Sequence, residues 1–452
     1  MTNIPAGFWF ELALALPLAG GLVAMCLQPA TLAARWTLGF LLATFASALL
    51  AAASFDGSRM PGPAGFAVDA LAAPLLPAFA LLHLITLLGT AKSRVTSMFC
   101  VRLLLATFIH AAALTCETAG GLVGLLLLGA LLPLWDLRDR ARPVRGYLLH
   151  MMVFAGLLLA AWRALASGDA ARGRGWLLVA LLLRGGIVPL HGWVPRLFQG
   201  ASFGTAMAFV LPVVEGIVAV RLLLPTAPVW MLDWAAVACL VTAVYGGAMA
   251  VVQDEVRKFY AHLCLSQTSL LLFALMLHTA NSLTAALCLW ISMPLALAGL
   301  AFAVRALEAR FGELSLREHH GYYEQVPGLA ICFLVTGLAS VGFPGTIGFV
   351  PMELLLSGSA EHGLGVSFTL AVAAMLNGIA ILRAYFALFT GKRPTTSVSL
   401  QITSLERAAV ILIMVVVFLG GWFSPGLVAS RHDTAEKLLE RKTAGQTGAP
   451  AR

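Results

Sequence analysis

Gly175-Trp-Leu-Leu-Val-Ala-Leu-Leu-Leu-Arg184-Gly-Gly-Ile-Val-Pro189-Leu-His191-Gly-Trp-Val-Pro195 begins as a bilayer helix and then stops behaving as one. The run up to Leu183 is apolar without interruption, as a segment crossing a hydrocarbon core of about 30 Å has to be. Arg184 then puts a charge in mid-segment, where it needs a partner or water. Three glycines and two prolines follow. Proline removes a backbone donor and clashes with the turn before it, and glycine weakens the helix further. A broken backbone at membrane depth survives only where protein or a polar cavity covers it. The stretch therefore predicts a transmembrane helix over about 175–193, interrupted beside a protected site.

The same reading extends outward. Of the 452 residues, 60% are hydrophobic and only 11% charged, and the mean hydropathy is +0.91. A soluble chain carries about 25% charged residues and could not cover its surface with so few. Apolar runs of bilayer length recur at roughly 7–27, 35–53, 69–91, 97–115, 119–135, 146–165, 175–193, 205–224, 229–251, 258–278, 281–305, 328–357, 365–390 and 406–427. They are too long and continuous for barrel strands, so the expected fold is an all-α integral membrane protein of about fourteen transmembrane helices over residues 1–430. The first run has no basic residue before it and no cleavage site after it, which makes it a permanent helix. Residues 431–452 form a polar tail expected to fray. The twelfth segment carries a second break, Gly342-Phe-Pro344-Gly345-Thr-Ile-Gly348-Phe-Val-Pro351. Breaks five segments apart suggest two five-helix inverted repeats, about 97–224 and 229–390.

The net charge of +8 belongs to membrane topology and not to nucleic acid. Loops after odd-numbered segments hold Arg35, Lys92, Arg94, Arg138, Arg140, Arg142, Arg145, Arg196, Arg257, Lys258, Arg310, Arg317, Lys392 and Arg393, whereas even loops hold Arg59, Arg172 and Arg174. Odd loops are thus expected on the cytoplasmic side, of a bacterial inner membrane, with both termini outside. The seven cysteines form no C-x-x-C and sit mostly in apolar runs, as small buried hydrophobes do. Nucleotide loops, a hydrolase elbow and metal-ligand clusters are missing from the sequence, so no cofactor is expected on this chain.

Five motifs, in order, carry a resemblance. Phe66-x-Val68-Asp69-x-Leu71 opens the third segment. Val188-Pro-Leu-His-Gly-Trp-Val-Pro195 lies in the seventh. Val252-Gln253-x-Glu255-Val-Arg257-Lys258-x-x-Ala261, ending in Ser266-Gln267, spans the tenth. Phe343-Pro-Gly-Thr-x-Gly-Phe349 breaks the twelfth, and Leu382-Arg383-Ala-Tyr385 with Phe389-Thr-Gly391 closes the thirteenth. In these the chain resembles the antiporter-like proton-translocating membrane subunits of respiratory complex I (NADH-quinone oxidoreductase) and the related Mrp-type cation/proton antiporters. The resemblance implies a proton-coupled subunit of a larger complex, with other membrane and soluble subunits as partners, protons and monovalent cations as the transported class, and redox chemistry on the partners. It also implies a carboxylate on the fifth helix, lysines on the seventh and eighth, a histidine and lysine ladder on the eleventh, and a lysine or glutamate on the twelfth.

The chain departs from that pattern as a divergent member. The fifth-helix position falls near Leu128, the seventh holds Arg184 and the eighth Glu215. The eleventh-helix ladder reads Leu289, Met293 and Leu297, and the twelfth-helix position is Met352, with Glu353 one residue on. A one-residue offset turns a helical side chain by about 100°. Arg184 and Glu215 are expected to pair, as a proton relay carried by Glu215 or as a structural ion pair, since arginine does not release its proton. Further relay candidates are His191, His262, Lys258 and Glu353. Histidine titrates near neutrality, but lone buried histidines also serve as helix-to-helix hydrogen bonds. Lys258 and Arg257 are expected to reach toward the cytoplasmic surface. Three functions stand: a membrane subunit of a quinone oxidoreductase-like or hydrogenase-like complex, the membrane partner of a proton-gradient-driven inorganic-carbon uptake system, and a non-conducting scaffold.

Overall fold

The computed structural model describes residues 6–391 and 401–447. Its first α-helices are α1 (Ala6–Cys26), α2 (Ala30–Ala53), α3 (Ala72–Leu88), α4 (Ser97–Thr115), α5 (Ala119–Asp139) and α6 (Arg145–Ala166). They are followed by α7 (Ala170–Arg184), α8 (Trp193–Gly200), α9 (Phe203–Val210), α10 (Val213–Val218), α11 (Val229–Val252) and α12 (Val256–Met276). The last are α13 (Ala280–Phe311), α14 (Pro327–Ser340), α15 (Phe349–Ala360), α16 (Leu364–Phe389), α17 (Ser404–Trp422) and α18 (Ser424–Thr447). A short hairpin, β1 (Met60–Pro61) with β2 (Ala67–Val68), precedes α3. Eleven spans among the described residues are long and apolar enough to cross a membrane, and α3, α14 and α15 are shorter apolar helices.

The chain divides into two compact units, Met1–Leu181 with Gly200–Leu223, and Leu182–Gln199 with Leu224–Arg452. In the first, α1 packs against α2 and α4, and α3 lies against α2 and α4. The centre of the second is α12 and α13, buried along almost their whole length. With 32 residues, α13 is about 48 Å long and outreaches a hydrocarbon core. Around these two lie α11, α14, α15, α16, α17 and α18.

Both expected breaks are present. Between α7 and α8 the backbone turns at Gly186, whose φ of +70° suits glycine. Between α14 and α15 it turns at Gly342 and Gly345, and a Cβ on Gly348 would lie 2.0 Å from the Ala339 carbonyl oxygen. The eighth segment, expected to be continuous, is interrupted too. Pro212 separates α9 from α10, and a π-helical turn follows at Ala219–Leu223. The cause is the one at work in the other breaks, a proline inside an apolar run. Within the described residues the polar tail, expected to fray, is helical as far as Thr447. It forms α18, which buries Arg431, Thr434, Ala435 and Lys442 at helical spacing and packs on α13. α13 continues to Phe311, and Glu308 is buried in its last turns.

Helices α11 and α12 approach closely. A Cβ on Gly246 would stand 2.8 Å from the Ser266 backbone nitrogen and 3.0 Å from the His262 carbonyl oxygen. Backbone cannot yield as a side chain can, so Gly246→Ala should cost about 1–3 kcal/mol. Gly124 has nothing within 4 Å of its Cβ position, and alanine there should be neutral or gain about 0.5–1 kcal/mol from helix propensity. Thermal midpoints in detergent, read by fluorescence-detected size exclusion, would check the contrast. Equal midpoints for the two variants would contradict the close approach.

Candidate functional site

The break after α7 builds the polar centre of the second unit. Its backbone is held by α11, where Thr242 Oγ1 accepts the Val188 N–H at 3.1 Å. Trp193 donates its indole N–H to the Leu183 carbonyl at 3.2 Å, tying the start of α8 to the end of α7. Between these anchors stands His191, half-buried. Its Nε2 is hydrogen-bonded to the Tyr245 hydroxyl at 3.0 Å, with the rings edge to face. Thr242 and Tyr245 are three residues apart on α11 and so share one face. One holds the broken backbone and the other the imidazole. Sequence reasoning passed over Tyr245, although a tyrosine in an otherwise apolar run is a visible signal.

His262, buried on α12, lies within electrostatic reach of His191. Its Nδ1 donates to the Lys258 carbonyl at 2.9 Å, since a carbonyl only accepts, and neutral His262 therefore keeps the lone pair on Nε2. Lys258 bonds Glu255 at 2.9 Å, and Gln199 of α8 donates to the same carboxylate at 2.9 Å. The Lys258 ammonium holds the Glu255 carboxyl below the usual carboxylate range, so it is ionised at neutral pH. Deeper along α12, the Asn377 amide of α16 donates to Ser266 Oγ at 2.8 Å, and Ser266 donates to the Ala243 carbonyl at 2.7 Å.

The entrance to α12 is strapped. The Leu314 carbonyl accepts the Val256 N–H, the Leu316 N–H donates to the Asp254 carbonyl, and Arg317 meets Asp254 at 2.9 Å. Arg257 does not reach for the surface with Lys258 as expected. It turns inward to a bidentate pair with Glu308 at 2.6 and 2.7 Å and donates to the Phe198 carbonyl at 3.1 Å. Burial favours this pairing because Glu308 has no exposed alternative.

The other candidates divide. Arg184 ends α7 and Glu215 lies in α10, both buried. Glu353 is exposed on α15 while its neighbour Met352 is buried, which is the turn expected from the one-residue offset. Leu289, Met293 and Leu297 are buried, so the middle of α13 is apolar where the ladder was expected, and Leu128 is partly exposed. A buried carboxylate near the end of α5 is Asp136. This residue is fully buried, bonds Arg102 of α4 at 2.9 Å, and accepts the Ser202 N–H that precedes α9. Asp139 also bonds Arg102, Arg140 approaches Asp136 at 3.3 Å, and Trp135 lies 5.5 Å from the guanidinium. No role was foreseen for Arg102. The readable signal was the Trp135-Asp136-x-Arg138-Asp139 cluster closing an apolar run. Held by two guanidiniums and an amide, Asp136 is an anchor for α4, α5 and α9.

A family profile described as NADH:quinone oxidoreductase/Mrp antiporter, TM matches residues 147–378, more than half of the chain. The subunit M of NADH-quinone oxidoreductase from Rickettsia bellii is 23% identical over 272 residues, covering 58% of this chain and 55% of that protein. The subunit M from Escherichia coli K12 is 27% identical over 272 residues, covering 58% and 53%. The chain thus spans about half the length of the curated relatives it matches. Among solved structures, a chain of respiratory complex I from Thermus thermophilus with bound NADH superposes with a TM-score of 0.81 at 19% identity, over 96% of this chain and 99% of that one. A chain of the Mrp complex from Dietzia sp. gives 0.80 at 20% identity, with the same coverage. At such identity these likenesses speak for the fold.

Asp136→Ala would leave Arg102 buried opposite Asp139 alone and strip the Ser202 N–H of its acceptor. Breaking a buried pair this way costs about 3–5 kcal/mol, and Asp139→Ala, at a partly exposed carboxylate, should cost less. Thermal stability of the detergent-solubilised variants checks the order, and a larger loss for Asp139→Ala would reverse it.

Proposed function

Because the chain belongs to the transmembrane family of NADH:quinone oxidoreductase and Mrp antiporter subunits, we propose that it is one membrane subunit of a larger proton-coupled complex. In this reading it moves or gates protons while partner subunits carry any redox chemistry. The observation that carries it is the pair of imidazoles at a protected helix break, His191 held by Tyr245 and His262 one helix away, connected through Lys258 to a charged surface. Histidine changes charge near neutral pH, and a break gives it polar surroundings inside an apolar bundle. The relatives are oxidoreductase subunits by name, and the superposable chains come from multisubunit assemblies.

The reading includes a topology. It has fourteen crossings, with α7–α8, α9–α10 and α14–α15 each counted as one, arranged as inverted repeats at about 97–224 and 229–390. Odd loops face the cytoplasm of a bacterial inner membrane, and both termini lie outside. Of the loop residues behind that orientation, Lys392 and Arg393 lie outside the described residues. A second reading, a non-conducting scaffold, is favoured by the apolar Leu289, Met293 and Leu297 on α13. Copurification with the native partners and proton flux in inverted vesicles separate the two. Iron–sulfur or quinone-reactive partners with flux support the first reading. A single large zinc-containing soluble partner would make the complex an inorganic-carbon accumulator instead. Assembly without any flux leaves the scaffold.

The Arg184–Glu215 pairing expected from sequence is carried forward here as a proposal. Glu215→Ala should then reduce assembly more than Arg184→Ala, because Glu215 can neutralise itself by taking a proton and Arg184 cannot lose one. Removing both should restore assembly relative to Glu215→Ala, as read by the yield of the copurified complex. No recovery in the double variant would show that the two charges do not compensate each other. Recovered assembly with full proton-coupled activity would make the pair structural.

A further inference from the structure

At one end of the second unit the turn between α12 and α13 is tied to the turn between α15 and α16. His362 donates its Nε2 proton to the Leu277 carbonyl at 2.9 Å, and Asn281 donates to the Glu361 carboxylate at 2.7 Å. His278 stands in the first of these turns with a φ of +47°, a left-handed conformation that histidine adopts more readily than most residues. Its Nδ1 donates to the Met276 carbonyl at 3.1 Å, so the neutral ring keeps its lone pair on Nε2. The ring packs edge to face on His362, with centroids 5.5 Å apart, and Nδ1 stands 3.9 Å from the carboxylate of Asp233, near the start of α11.

A fourth group comes from α18. Lys442 is only 8% exposed, and its Nζ has no hydrogen bond among the described residues. Asp233 and His278 are both within its electrostatic reach. Burial pushes the Lys442 ammonium down and Asp233 opposes this. Burial also pushes the His278 imidazole down, and Lys442 and His362 add to it against the Met276 carbonyl and Asp233. One carboxylate thus serves two bases, since Glu361 is taken by Asn281. The start of α13 and the end of α12 add no further charge here.

We infer that Asp233, His278 and Lys442 form an acid-released latch for the C-terminal part of α18. While His278 is neutral, Asp233 is left to Lys442. A protonated His278 takes the carboxylate and stands as a second cation beside a buried ammonium, which then leaves for water. Release frees His278 from Lys442 and admits water, so the released form binds more protons than the closed one. The closed form is therefore at full strength above the ordinary histidine value of about 6.5 and weakens as pH falls below it. His432, earlier on α18, does not release. Thr284 gives its own proton to the Ala280 carbonyl and so accepts from His432 Nδ1 at 3.1 Å, and a proton on Nε2 meets Glu436 at 3.4 Å. Opening is confined to residues beyond it. The latch stands on this geometry, while the compartment it senses rests on the orientation proposed above, which puts both turns outside.

Amide hydrogen exchange of the whole complex in lipid nanodiscs, corrected for intrinsic rates, tests it. Between pH 7.5 and pH 5.5 the protection of residues 436–443 should fall about threefold or more, while that of residues 431–435 holds. Equal protection at the two pH values overturns the latch. His278→Asn, which tolerates the left-handed backbone and still donates to Met276, should abolish the fall. Lys442→Met, which keeps the packing without the charge, should abolish it too and decides the matter should His278→Asn not assemble. A fall that persists in either variant overturns the assignment. Asp233→Asn should be open at both pH values, and protection as in the unsubstituted complex would exclude Asp233. Acidifying the outside of sealed vesicles then places the sensor. Opening in right-side-out vesicles alone supports an outward latch, and opening in inverted vesicles alone sustains the latch and overturns the orientation.

Discussion

A backbone N–H left open inside a bilayer has no solvent to turn to, and this chain opens its backbone there repeatedly. Each opening has to be met by a neighbour, and the neighbours are thereby chosen. At the first break, Thr242 of α11 takes the Val188 N–H, and the Ile187 N–H turns back to the Leu182 carbonyl. At the second, the Ile347 N–H donates to the Val417 carbonyl of α17 at 2.9 Å. Thus α11 has to lie along the first break and α17 along the second. Once α11 is there, Tyr245 meets His191, and the closeness of α11 to α12 follows from the absence of a side chain at Gly246.

Charge is distributed by the same logic. Arg102, Arg257 and Arg310 are paired near helix ends, with Asp136, Glu308 and Glu406 as partners. Deeper in the second unit, the polar side chains along α12 and α16 are neutral hydroxyls and amides, Ser266, Ser269 and Asn377. Neutral groups cost less to bury than ions and can orient water, but they hold no charge by themselves. The result is a bundle whose ion pairs anchor helices and whose uncharged polar groups line the interior.

The sequence was most readable where one residue type has one physical effect. Apolar runs of bilayer length and the Gly/Pro clusters at 185–195 and 342–351 foretold the helices and two of their breaks, and the five ordered motifs foretold the family. Pro212 carried the same information and was passed over because the surrounding run is so apolar. Sites were harder, since pairing depends on which helices become neighbours. Nothing near Asp136 in the chain names Arg102, which is 34 positions away on another helix. Family correspondence pointed to Leu128, which is partly exposed, and to Met352, which is buried while Glu353 beside it is exposed.

The seat of α18 on α13 bears on how the molecule is made. Its buried stripe, with Arg431 and Lys442 among the covered side chains and His432 bonded to Thr284 at 3.1 Å, closes a face of a helix that leaves the ribosome long before it. Until α18 emerges, the Thr284 side of α13 lacks the cover that α18 gives it. A polar helix encoded well after α13 thus completes the packing of the central helix of the second unit.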